Sequence, residues 1–455
     1  MAIQVVVLAA GQGKRMHSRL AKVLHELAGK PLLEHVIETA LQIADETSPI
    51  IINGHQGKEV NGALSHHIVR WVEQKEQLGT GHALLQALPV ISADDRVLVL
   101  YGDVPLISES ILKTLINTTP LQAIGMITAN LPNPTGYGRI LRDTQHQVVG
   151  IVEEKDATEK ERAITEVNSG IYLIPANYLR EWLPALKNQN AQKEYYLTDV
   201  ITQAVKQHIS IHAISPRFVE EIFGVNDRLQ LAQLERFYQR QQAEKLMQQG
   251  VSIYDPARFD VRGTVQVGRD VVIDVNVILE GHVVIGDECV IGPNVILSNT
   301  ELGARVEVRA NSIIDSAEIA SDCIVGPFAR IRPGTVLASS VHVGNFVEIK
   351  NSVVGEKSKI NHLSYVGDSE IGQRVNIGAG TITCNYDGVN KHKTIIGDEV
   401  FIGSNSQLVA PIRIGKGATI GAGSTITEDA PEDKLTLARA RQQTIKDWQR
   451  PGKKS

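Results

Sequence analysis

The chain contains few aromatic residues and few cysteines. Phe, Trp and Tyr make up 4% of its 455 residues, and the three cysteines, Cys289, Cys323 and Cys384, lie far apart. They form no CxxC pair and no spacing typical of zinc ligands, which indicates a reducing compartment. We therefore expect the protein to be cytoplasmic.

Long apolar runs and a strong charge bias are also missing. No run approaches the ~18 apolar residues of a membrane span, and the apolar start MAIQVVVLAA lacks the basic segment of a signal peptide. The net charge of -5 does not favour wholesale nucleic-acid binding. We expect neither a membrane nor a nucleic acid as partner, and the chain length predicts two or three domains.

The first half alternates short β-rich runs with amphipathic helices. Strands are predicted at residues 3–8, 50–53, 68–72 and 97–101. Pro31 opens a helix between the first two of these strands. This order predicts an open, mainly parallel α/β sheet, which binds ligands beyond the carboxyl ends of its strands. A charged stretch then predicts a helical connector that ends near Gly250.

From about residue 267 the chain acquires a period of six. Aliphatic residues recur six apart in three unbroken runs, which start at Val267, Ile319 and Ile396. Glycine often follows the aliphatic residue, as in Ile285-Gly286. A hexapeptide repeat is typical of a parallel β-helix, in which each short strand points an aliphatic side chain inward and stacks at ~4.8 Å. The second half is therefore predicted to be a solenoid.

A glycine-containing loop follows the first strand. In VLAAGQGKRM, Gly11 and Gly13 let backbone N–H groups face an anion, while Arg15 and Lys22 add positive charge. The segment matches neither GxGxxG nor a P-loop, and taken alone it fits a purely structural turn equally well. Asp103, at the end of the strand in RVLVLYGDVP, suits Mg²⁺ bound to substrate phosphates. Together with EQLGTGH, these features favour a polyphosphate site.

The polar stretch TCNYDGVNKHKT, residues 383–394, interrupts the period of six in the second half. A solenoid expels such an insertion as a loop, and loops on rigid scaffolds often carry binding residues. Arg332 and Lys350 each follow a core aliphatic residue and lie eighteen residues apart, which stacks them in adjacent coils of three hexads. Two cations so close repel unless an anion, such as a sugar phosphate, lies between them. His362 follows as a candidate general base.

Several segments together resemble a known family. LAAGQGKRM, Lys22, QLGTG, YGDVP, TGYGRI, NSG and GVNDR are similar to the motifs of sugar-phosphate nucleotidyltransferases, in the same order. With the hexapeptide half, essentially the whole chain resembles the bifunctional bacterial N-acetylglucosamine-1-phosphate uridyltransferases/glucosamine-1-phosphate N-acetyltransferases. The resemblance implies a Rossmann-like α/β uridyltransferase domain at 1–225, a linker helix at 226–250, and a left-handed parallel β-helix acetyltransferase domain with its tail at 251–455.

The resemblance implies two reactions with small-molecule substrates. The second half would N-acetylate glucosamine 1-phosphate with acetyl-CoA. The first half would couple the resulting N-acetylglucosamine 1-phosphate to UTP, which releases pyrophosphate and yields UDP-N-acetylglucosamine. Mg²⁺ would bind to Asp103 and Asn226. The hexapeptide domains of the family pack as homotrimers, so the loop at 383–394 would reach a neighbouring subunit.

The resemblance also implies residues for the uridyltransferase site. Arg15 and Lys22 would act in catalysis, because the barrier is repulsion between anions. Gln74, Gly79 and Thr80 would read uracil. The other substrate-binding residues implied for this site are Leu8, Ala9, Ala10, Gly11, Tyr101, Gly138, Glu153 and Asn168.

A second set is implied for the acetyltransferase site. His362 would be the general base, oriented by Glu348, and would free the amine to attack the thioester. The residues implied to bind glucosamine 1-phosphate are Arg332, Lys350, Tyr365 and Asn376. Those implied to bind acetyl-CoA are Ala379, Asn385, Tyr386, Ser404, Ala422 and Arg439.

Two other interpretations of the sequence are a single-activity nucleotidyltransferase and a scaffold protein. In the first, the β-helix serves only for oligomerisation, as in ADP-glucose-forming enzymes; the set of Arg332, Lys350 and His362 argues against it. In the second, a trimeric scaffold or sugar-binding protein carries a decayed catalytic half. The joint presence of Lys22, Asp103 and Asn226 argues against that.

Overall fold

The computed structural model describes residues 2–11, 13–44, 47–54 and 56–452. Gln12, in the loop predicted to bind phosphate, lies outside these ranges. The chain divides into two compact units, Met1–Tyr238 and Gln239–Ser455. Within the described ranges, every helix is too short or too polar to cross a lipid bilayer.

The first unit is an α/β structure. Its strands, in chain order, are β1 (Ile3–Leu8), β2 (Glu26–Leu27), β3 (Lys30–Pro31), β4 (Ile50–Asn53), β5 (Arg70–Glu73), β6 (Arg96–Tyr101), β7 (Ile124–Asn130), β8 (Arg139–Arg142), β9 (Val148–Val152), β10 (Glu166–Pro175) and β11 (Ile211–Ile214). Its α-helices are α1 (Leu32–Ile43), α2 (Gly57–Ala63), α3 (Thr80–Ala87), α4 (Glu109–Thr118), α5 (Glu159–Arg162), α6 (Ala176–Trp182) and α7 (Asp199–Lys206). A further helix, α8 (Arg228–Gln248), begins here and ends in the second unit.

The central sheet is mainly parallel, as the sequence predicts. Its strand order is β11-β7-β10-β6-β1-β4-β5, with the antiparallel pair β8 and β9 attached to β10. Strand β1 pairs in parallel with β4 and β6, so that Leu8 lies opposite both Ile52 and Tyr101. Strand β10 is antiparallel to both of its neighbours, β6 and β7. The strand predicted at residues 68–72 begins two residues later, at Arg70.

Both faces of this sheet are covered. Val5 and Val7 of β1 point into one core, with Leu33 and Val36 of α1, whereas Val6 points into the other. A strand buried on both faces is expected to be apolar along most of its length, which explains the run VVVL at residues 5–8; Gln4 is the one polar residue of this strand. The consequence is that polar groups concentrate where the strands end.

The second unit consists of short parallel strands. In chain order they are β12 (Ser252–Ile253), β13 (Phe259–Val267), β14 (Val272–Ile273), β15 (Val277–Ile285), β16 (Val290–Ile291), β17 (Ile296–Ser298), β18 (Glu301–Leu302), β19 (Glu307–Val308), β20 (Ile313–Asp315), β21 (Ala317–Ile319), β22 (Ile324–Val325), β23 (Arg330–Ile331), β24 (Thr335–Leu337), β25 (His342–Asn345), β26 (Glu348–Lys350), β27 (Val353–Val354), β28 (Lys359–His362), β29 (Tyr365–Gly367), β30 (Ser369–Ile371), β31 (Asn376–Ile377), β32 (Ile382–Cys384), β33 (Thr394–Ile396), β34 (Phe401–Ile402), β35 (Gln407–Val409), β36 (Ile412–Ile414), β37 (Thr419–Ile420), β38 (Thr425–Ile426) and β39 (Leu435–Thr436).

These strands stack into two long parallel ladders, one of 11 and one of 17 strands. Core positions pair with their copies in the next coil: Ile273 lies opposite Ile291, and Ile331 lies opposite Ile349. These residues are fully buried. The hexapeptide repeat therefore forms the predicted parallel β-helix, and each aliphatic member of the repeat fills one layer of its core.

Removing one such layer is expected to destabilise the β-helix. Ile291 is fully buried, whereas its neighbour Val290 is 45% exposed. We expect Ile291→Ala to lower the free energy of unfolding by about 2–5 kcal/mol, because the coils above and below cannot close the cavity. Urea unfolding followed by circular dichroism measures the change. Val290→Ala is the matched control, with an expected change below ~1 kcal/mol; equal effects of the two variants would contradict the layered core.

The polar interruption is accommodated outside the stack. In most strand pairs of the β-helix the paired residues are 17 or 18 positions apart, but Ile371 pairs with Ile396 and Ile377 with Ile402, each 25 positions apart. The longer coil expels its extra residues as a loop, in which an antiparallel bridge joins Tyr386 to Lys391. The core layers thus remain in register on both sides of the loop.

Candidate functional site

A cavity of about 560 Å³ lies at the carboxyl ends of β1 and β6 in the first unit. This is the place where a parallel α/β sheet binds its ligands. The residues predicted for the uridyltransferase site that line this cavity are Leu8, Ala9, Ala10, Gly11, Arg15, Lys22, Gln74, Gly79, Thr80, Tyr101, Asp103 and Asn226. They come from distant parts of the chain, and the sheet brings them to one edge.

The loop after β1 depends on a glycine. Gly13 has a φ of 60°, in the left-handed region that favours glycine, and it precedes a 3-10 turn at Lys14–Met16. A Cβ atom at this position would lie 2.6 Å from Cβ of Lys22. The loop therefore packs directly on Lys22, and both Arg15 and Lys22 face the cavity.

Lys22 joins the two residues predicted to bind metal. Its Nζ donates to Oδ2 of Asp103 and, at 2.9 Å, to Oδ1 of Asn226. The backbone N–H of Val225 donates to the carbonyl of Asp103 at 2.8 Å, which holds the two segments together. A carboxylate oxygen and an amide oxygen thus already surround one positive charge. Hard divalent cations prefer such oxygen ligands, so this donor set fits a divalent metal.

The segment predicted to read a base is held rigidly at the cavity wall. Gln74 is buried, and its Nε2 donates to the carbonyl of Gly79 at 3.1 Å. Gly79 has a φ of 115°, and a Cβ there would lie 2.6 Å from the carbonyl oxygen of Tyr195. Thr80 opens α3, and its hydroxyl accepts a hydrogen bond from the backbone of Leu197 at 3.1 Å. Few positions of this segment can move independently.

The three predicted sugar-binding residues form an adjacent cluster. The backbone N–H of Asn168 donates to the carbonyl of Gly138, and a Cβ on Gly138 would lie 3.5 Å from the carboxylate of Glu153. Burial raises the pKa of Glu153, although a hydrogen bond from Thr198 at 3.1 Å opposes this rise. Burial also raises the pKa of Tyr101, with Glu153 as a further cause. Because Tyr101 lines the cavity, the cluster adjoins it.

In the second unit, β-helix register brings the predicted cations together. Ile331 pairs with Ile349, which sets Arg332 beside Lys350 in the next coil. Glu348 pairs with Tyr365 one coil further along. The guanidinium of Arg332 donates to Oε1 of Glu348 at 2.7 Å. One edge of the ladder therefore carries two cations, a carboxylate and a phenol.

The expelled loop adds a third cation to this edge. Contact with the ammonium of Lys350 lowers the pKa of Lys391. Asp368 lies beside both lysines; burial opposes the shift, but hydrogen bonds from Asn351 and Asn385 lower the pKa of its carboxyl group. The amide of Asn385 donates to Asp368 at 2.5 Å. Lys391 is not among the residues predicted to bind phosphate, because its position depends on the antiparallel bridge that folds the loop.

His362 has a different partner from the one expected. Its Nδ1 lies 3.1 Å from Oδ1 of Asn345, the residue opposite it in the preceding coil. Glu348, the expected orienting group, instead accepts from Arg332. The sequence spacing could have predicted this contact, because Asn345 lies seventeen residues, or one coil, before His362.

The residues predicted to bind acetyl-CoA follow successive coils. The backbone N–H of Asn405 donates to the carbonyl of Ala379 at 2.7 Å, and that of Gly423 donates to Ser404 at 2.8 Å. Nη1 of Arg439 donates to the carbonyl of Ala422 at 2.6 Å. Tyr386, at the loop, is 61% exposed.

Asn376 lies apart from the sugar-binding residues predicted with it. It belongs to β31, on the ladder of His362, where it pairs with Lys359 and Phe401. Lys350 and Tyr365 belong to the other ladder, and Arg332 directly follows β23 of that ladder.

Comparison with known proteins defines the class. Residues 5–165 match the MobA-like NTP transferase domain, residues 261–354 match the GMPPB C-terminal domain, and residues 393–428 match the bacterial transferase hexapeptide (six repeats). The chain thus joins a nucleotidyltransferase domain to a hexapeptide transferase domain.

Relatives named "Bifunctional protein GlmU" match along the whole chain. Those of Acinetobacter baumannii (strain AYE) and Methylococcus capsulatus are both 56% identical, with 100% of this chain and 99% and 98% of theirs covered. That of Aromatoleum aromaticum is 53% identical, with 99% of each chain covered. The chain therefore belongs to the GlmU family. It is an enzyme with both predicted activities, acetylation of glucosamine 1-phosphate and uridylyl transfer, which together make UDP-N-acetylglucosamine.

Proposed function

We propose that Asp103 and Asn226 hold Mg²⁺ during uridylyl transfer, and that Arg15 and Lys22 bind the phosphates of UTP. The observation that carries this proposal is the ammonium of Lys22, on which both oxygens converge. When bound, the ion neutralises phosphate charge. Lys22 already lies within hydrogen-bonding distance of the ion's ligands, so it reaches the same phosphates and orients them.

The substrate itself supplies the nucleophile for this step. A phosphate oxygen of N-acetylglucosamine 1-phosphate attacks the α-phosphorus of UTP, a new P–O bond forms, and pyrophosphate leaves. Because the attacking oxygen is already anionic, no side chain needs to remove a proton. The contribution of Arg15 and Lys22 is to offset repulsion between the two anions. Gln74, held by Gly79, offers amide groups to uracil.

Other cavity residues complete the uridyltransferase site. Leu8, Ala9, Ala10 and Gly11 offer backbone groups to the nucleotide, with Thr80 and Tyr101 at its side. We assign Gly138, Glu153 and Asn168 to the hydroxyl groups of sugar and ribose. The half-buried carboxylate of Glu153 supports this role, since among the described hydrogen bonds it accepts one from Thr198 and has further lone pairs to offer.

For acetyl transfer we propose that Arg332, Lys350 and Tyr365 bind glucosamine 1-phosphate, with Lys391 as a further phosphate ligand. Three cations on one edge repel one another, and a sugar phosphate between them removes that cost. Glu348 then orients Arg332. Asn376 meets the sugar from the other ladder.

His362 is proposed as the general base. With Nδ1 facing the amide oxygen of Asn345, the neutral ring carries its proton on Nδ1 and leaves Nε2 to accept one. Nε2 takes a proton from the amine, whose nitrogen forms a bond to the thioester carbonyl carbon. The C–S bond breaks, and the thiolate of coenzyme A leaves and takes up the proton. Acetyl-CoA lies along Ala379, Ser404, Ala422 and Arg439, with Asn385 and Tyr386 beside its acetyl end.

We also propose a homotrimer, in which the loop at 383–394 reaches a neighbouring subunit. Phe328 and Phe346 support an assembly, because their rings stack 5.3 Å apart and are 49% and 56% exposed.

The domain boundaries proposed are 1–225, 226–250 and 251–455. The free thiols of Cys289 and Cys323, both buried, support a reducing, cytoplasmic location.

A coupled assay tests both halves at once. Purified protein is incubated with glucosamine 1-phosphate, acetyl-CoA, UTP and Mg²⁺, and free thiol and UDP-sugar are followed together. We expect thiol release first and UDP-N-acetylglucosamine after it. UDP-sugar that formed only from pre-acetylated sugar phosphate, without thiol release, would reduce the β-helix to a scaffold.

A further inference from the structure

Two neighbouring histidines converge on one carboxylate at the surface of the first unit. Nε2 of His66 lies 3.0 Å and Nε2 of His67 lies 3.1 Å from Oε1 of Glu34. One ligand atom from each of the three residues lies within 4.8 Å of the others. None of the three residues lines the nucleotide cavity, so the cluster is separate from the site of uridylyl transfer.

We propose that Glu34, His66 and His67 form a binding site for a divalent transition-metal ion such as Zn²⁺. Zn²⁺ takes imidazole nitrogen and carboxylate oxygen at ~2.0–2.2 Å in a tetrahedral arrangement, which separates its ligand atoms by roughly 3.3 Å. The distances of 3.0 and 3.1 Å between the two Nε2 atoms and Oε1 approach that spacing. An ion at the centre of the cluster takes the place of the two hydrogen bonds to Oε1 of Glu34.

The donor set selects the kind of metal. Two imidazoles and one carboxylate favour Zn²⁺, Ni²⁺ or Cu²⁺, whereas Mg²⁺ prefers oxygen ligands and retains its waters. Asp103 and Asn226 offer oxygen alone. The chain thus carries two donor sets of different chemistry. Zn²⁺ binds to Glu34 and the two histidines, whereas Mg²⁺ binds to the oxygen ligands.

The surroundings leave the cluster open on one side. The side chains of Glu34 and His67 are 16% and 13% exposed, and that of His66 is 58% exposed. His66 therefore borders the entry path, and water fills the fourth position of a tetrahedral ion. The two more buried ligands are fixed by their backbones: Glu34 lies in the first turn of α1, and the N–H of His67 donates to the carbonyl of Leu64 at 3.2 Å.

An ion at this site links two elements that are otherwise distant in sequence. Glu34 belongs to α1, and the histidines lie in the turn between α2 and β5. Strand β5 is the edge of the sheet and pairs only with β4 among the described strands. A metal ion therefore links the region of this edge strand to α1. Because the ion binds only the folded chain, it raises the thermal stability of the first unit.

The test uses full-length protein without an affinity tag, in excess Mg²⁺ to occupy the oxygen site. Zn²⁺ binding is measured by competition with a colorimetric chelator, and thermal unfolding is followed with and without Zn²⁺. We expect one Zn²⁺ per chain and an increase in the unfolding midpoint. His66→Gln and His67→Gln, which keep an amide donor for Glu34 but lose the imidazole, are each expected to weaken binding at least ~10-fold.

Two further variants distinguish a metal site from a hydrogen-bonded cluster. Glu34→Gln keeps an oxygen acceptor for the histidines and removes the charge, so it too is expected to weaken Zn²⁺ binding ~10-fold. His212→Ala, at a half-buried histidine in β11, is the control and should bind Zn²⁺ like the unmodified protein. Equal affinity in all variants, or no binding below millimolar Zn²⁺, would overturn the proposal.

Discussion

Replacing His362 with alanine is expected to lower the rate of acetyl transfer by ~10²–10⁴-fold and to leave uridylyl transfer unchanged. A positioned general base contributes that much to a step in which an amine must lose a proton. The two activities are measured separately, as thiol release from acetyl-CoA and as pyrophosphate release from UTP. An unchanged thiol rate would remove His362 from the mechanism and restore the alternative of a single-activity enzyme.

The contact with Asn345 sharpens this prediction. Asn345 is a positioning residue that acts through His362. Its amide oxygen holds the proton of His362 on Nδ1 through the hydrogen bond of 3.1 Å. Asn345→Ala is therefore expected to lower the acetyl-transfer rate by ~10-fold and to shift its pH profile, with the KM for acetyl-CoA unchanged. A loss confined to KM would indicate a binding role instead.

The matched control for His362→Ala is His282→Ala. His282 lies on the same β-helix, in an exposed position where its ring contacts only the hydroxyl of Thr264 at 3.0 Å among the described hydrogen bonds. Its removal deletes the same number of atoms without touching the proposed site. We expect both activities to remain at the level of the unmodified protein, which shows that loss at His362 is local.

Much of the fold is predictable because it repeats. The period of six alone predicts the β-helix, since each aliphatic side chain fills one core layer and a shift of register would expose it. The buried strand β1 is equally predictable from the apolar run VVVL at residues 5–8. What the pattern cannot supply is the geometry of the expelled loop, because polar residues such as Lys391 are not held by any core layer.

Site residues were predictable where their chemistry is unusual for their position. Asp103 directly beyond an apolar strand is one example, and stacked Arg332 and Lys350 are another. The contact between Lys22 and Asn226, 204 positions apart, depends on tertiary packing and leaves no local signal. Glu348 contacts Arg332 and His362 contacts Asn345, whereas the sequence predicts that the two contact each other. The difference depends on which face of the coil each side chain occupies, and residue spacing alone does not determine that face.

Asp103→Asn is expected to lower kcat/KM for uridylyl transfer by ~10²–10³-fold and to leave acetyl transfer unchanged. Asparagine has nearly the same volume, so the cavity keeps its shape, but the negative charge opposite Lys22 disappears. As a metal ligand, Asp103 acts through the ion, which stabilises charge on the phosphates, and a single contribution of this kind is worth about that factor. Uridylyl transfer is measured as pyrophosphate release at increasing Mg²⁺ concentrations.

The Mg²⁺ dependence separates the metal role of Asp103 from a structural one. If Asp103 is a ligand, the variant should need more Mg²⁺ to reach half of its own maximal rate, because an amide oxygen binds the ion more weakly than a carboxylate. If Asp103 only holds Lys22 in place, the Mg²⁺ dependence stays the same and the KM for UTP rises. Asp94→Asn, at an exposed aspartate after α3 and outside the cavity, is the control. Asn226 accepts from the same ammonium as Asp103. Asn226→Leu should therefore also raise the Mg²⁺ concentration needed for half of the maximal rate. Opposite shifts in the two variants would contradict a metal ion bound by both residues.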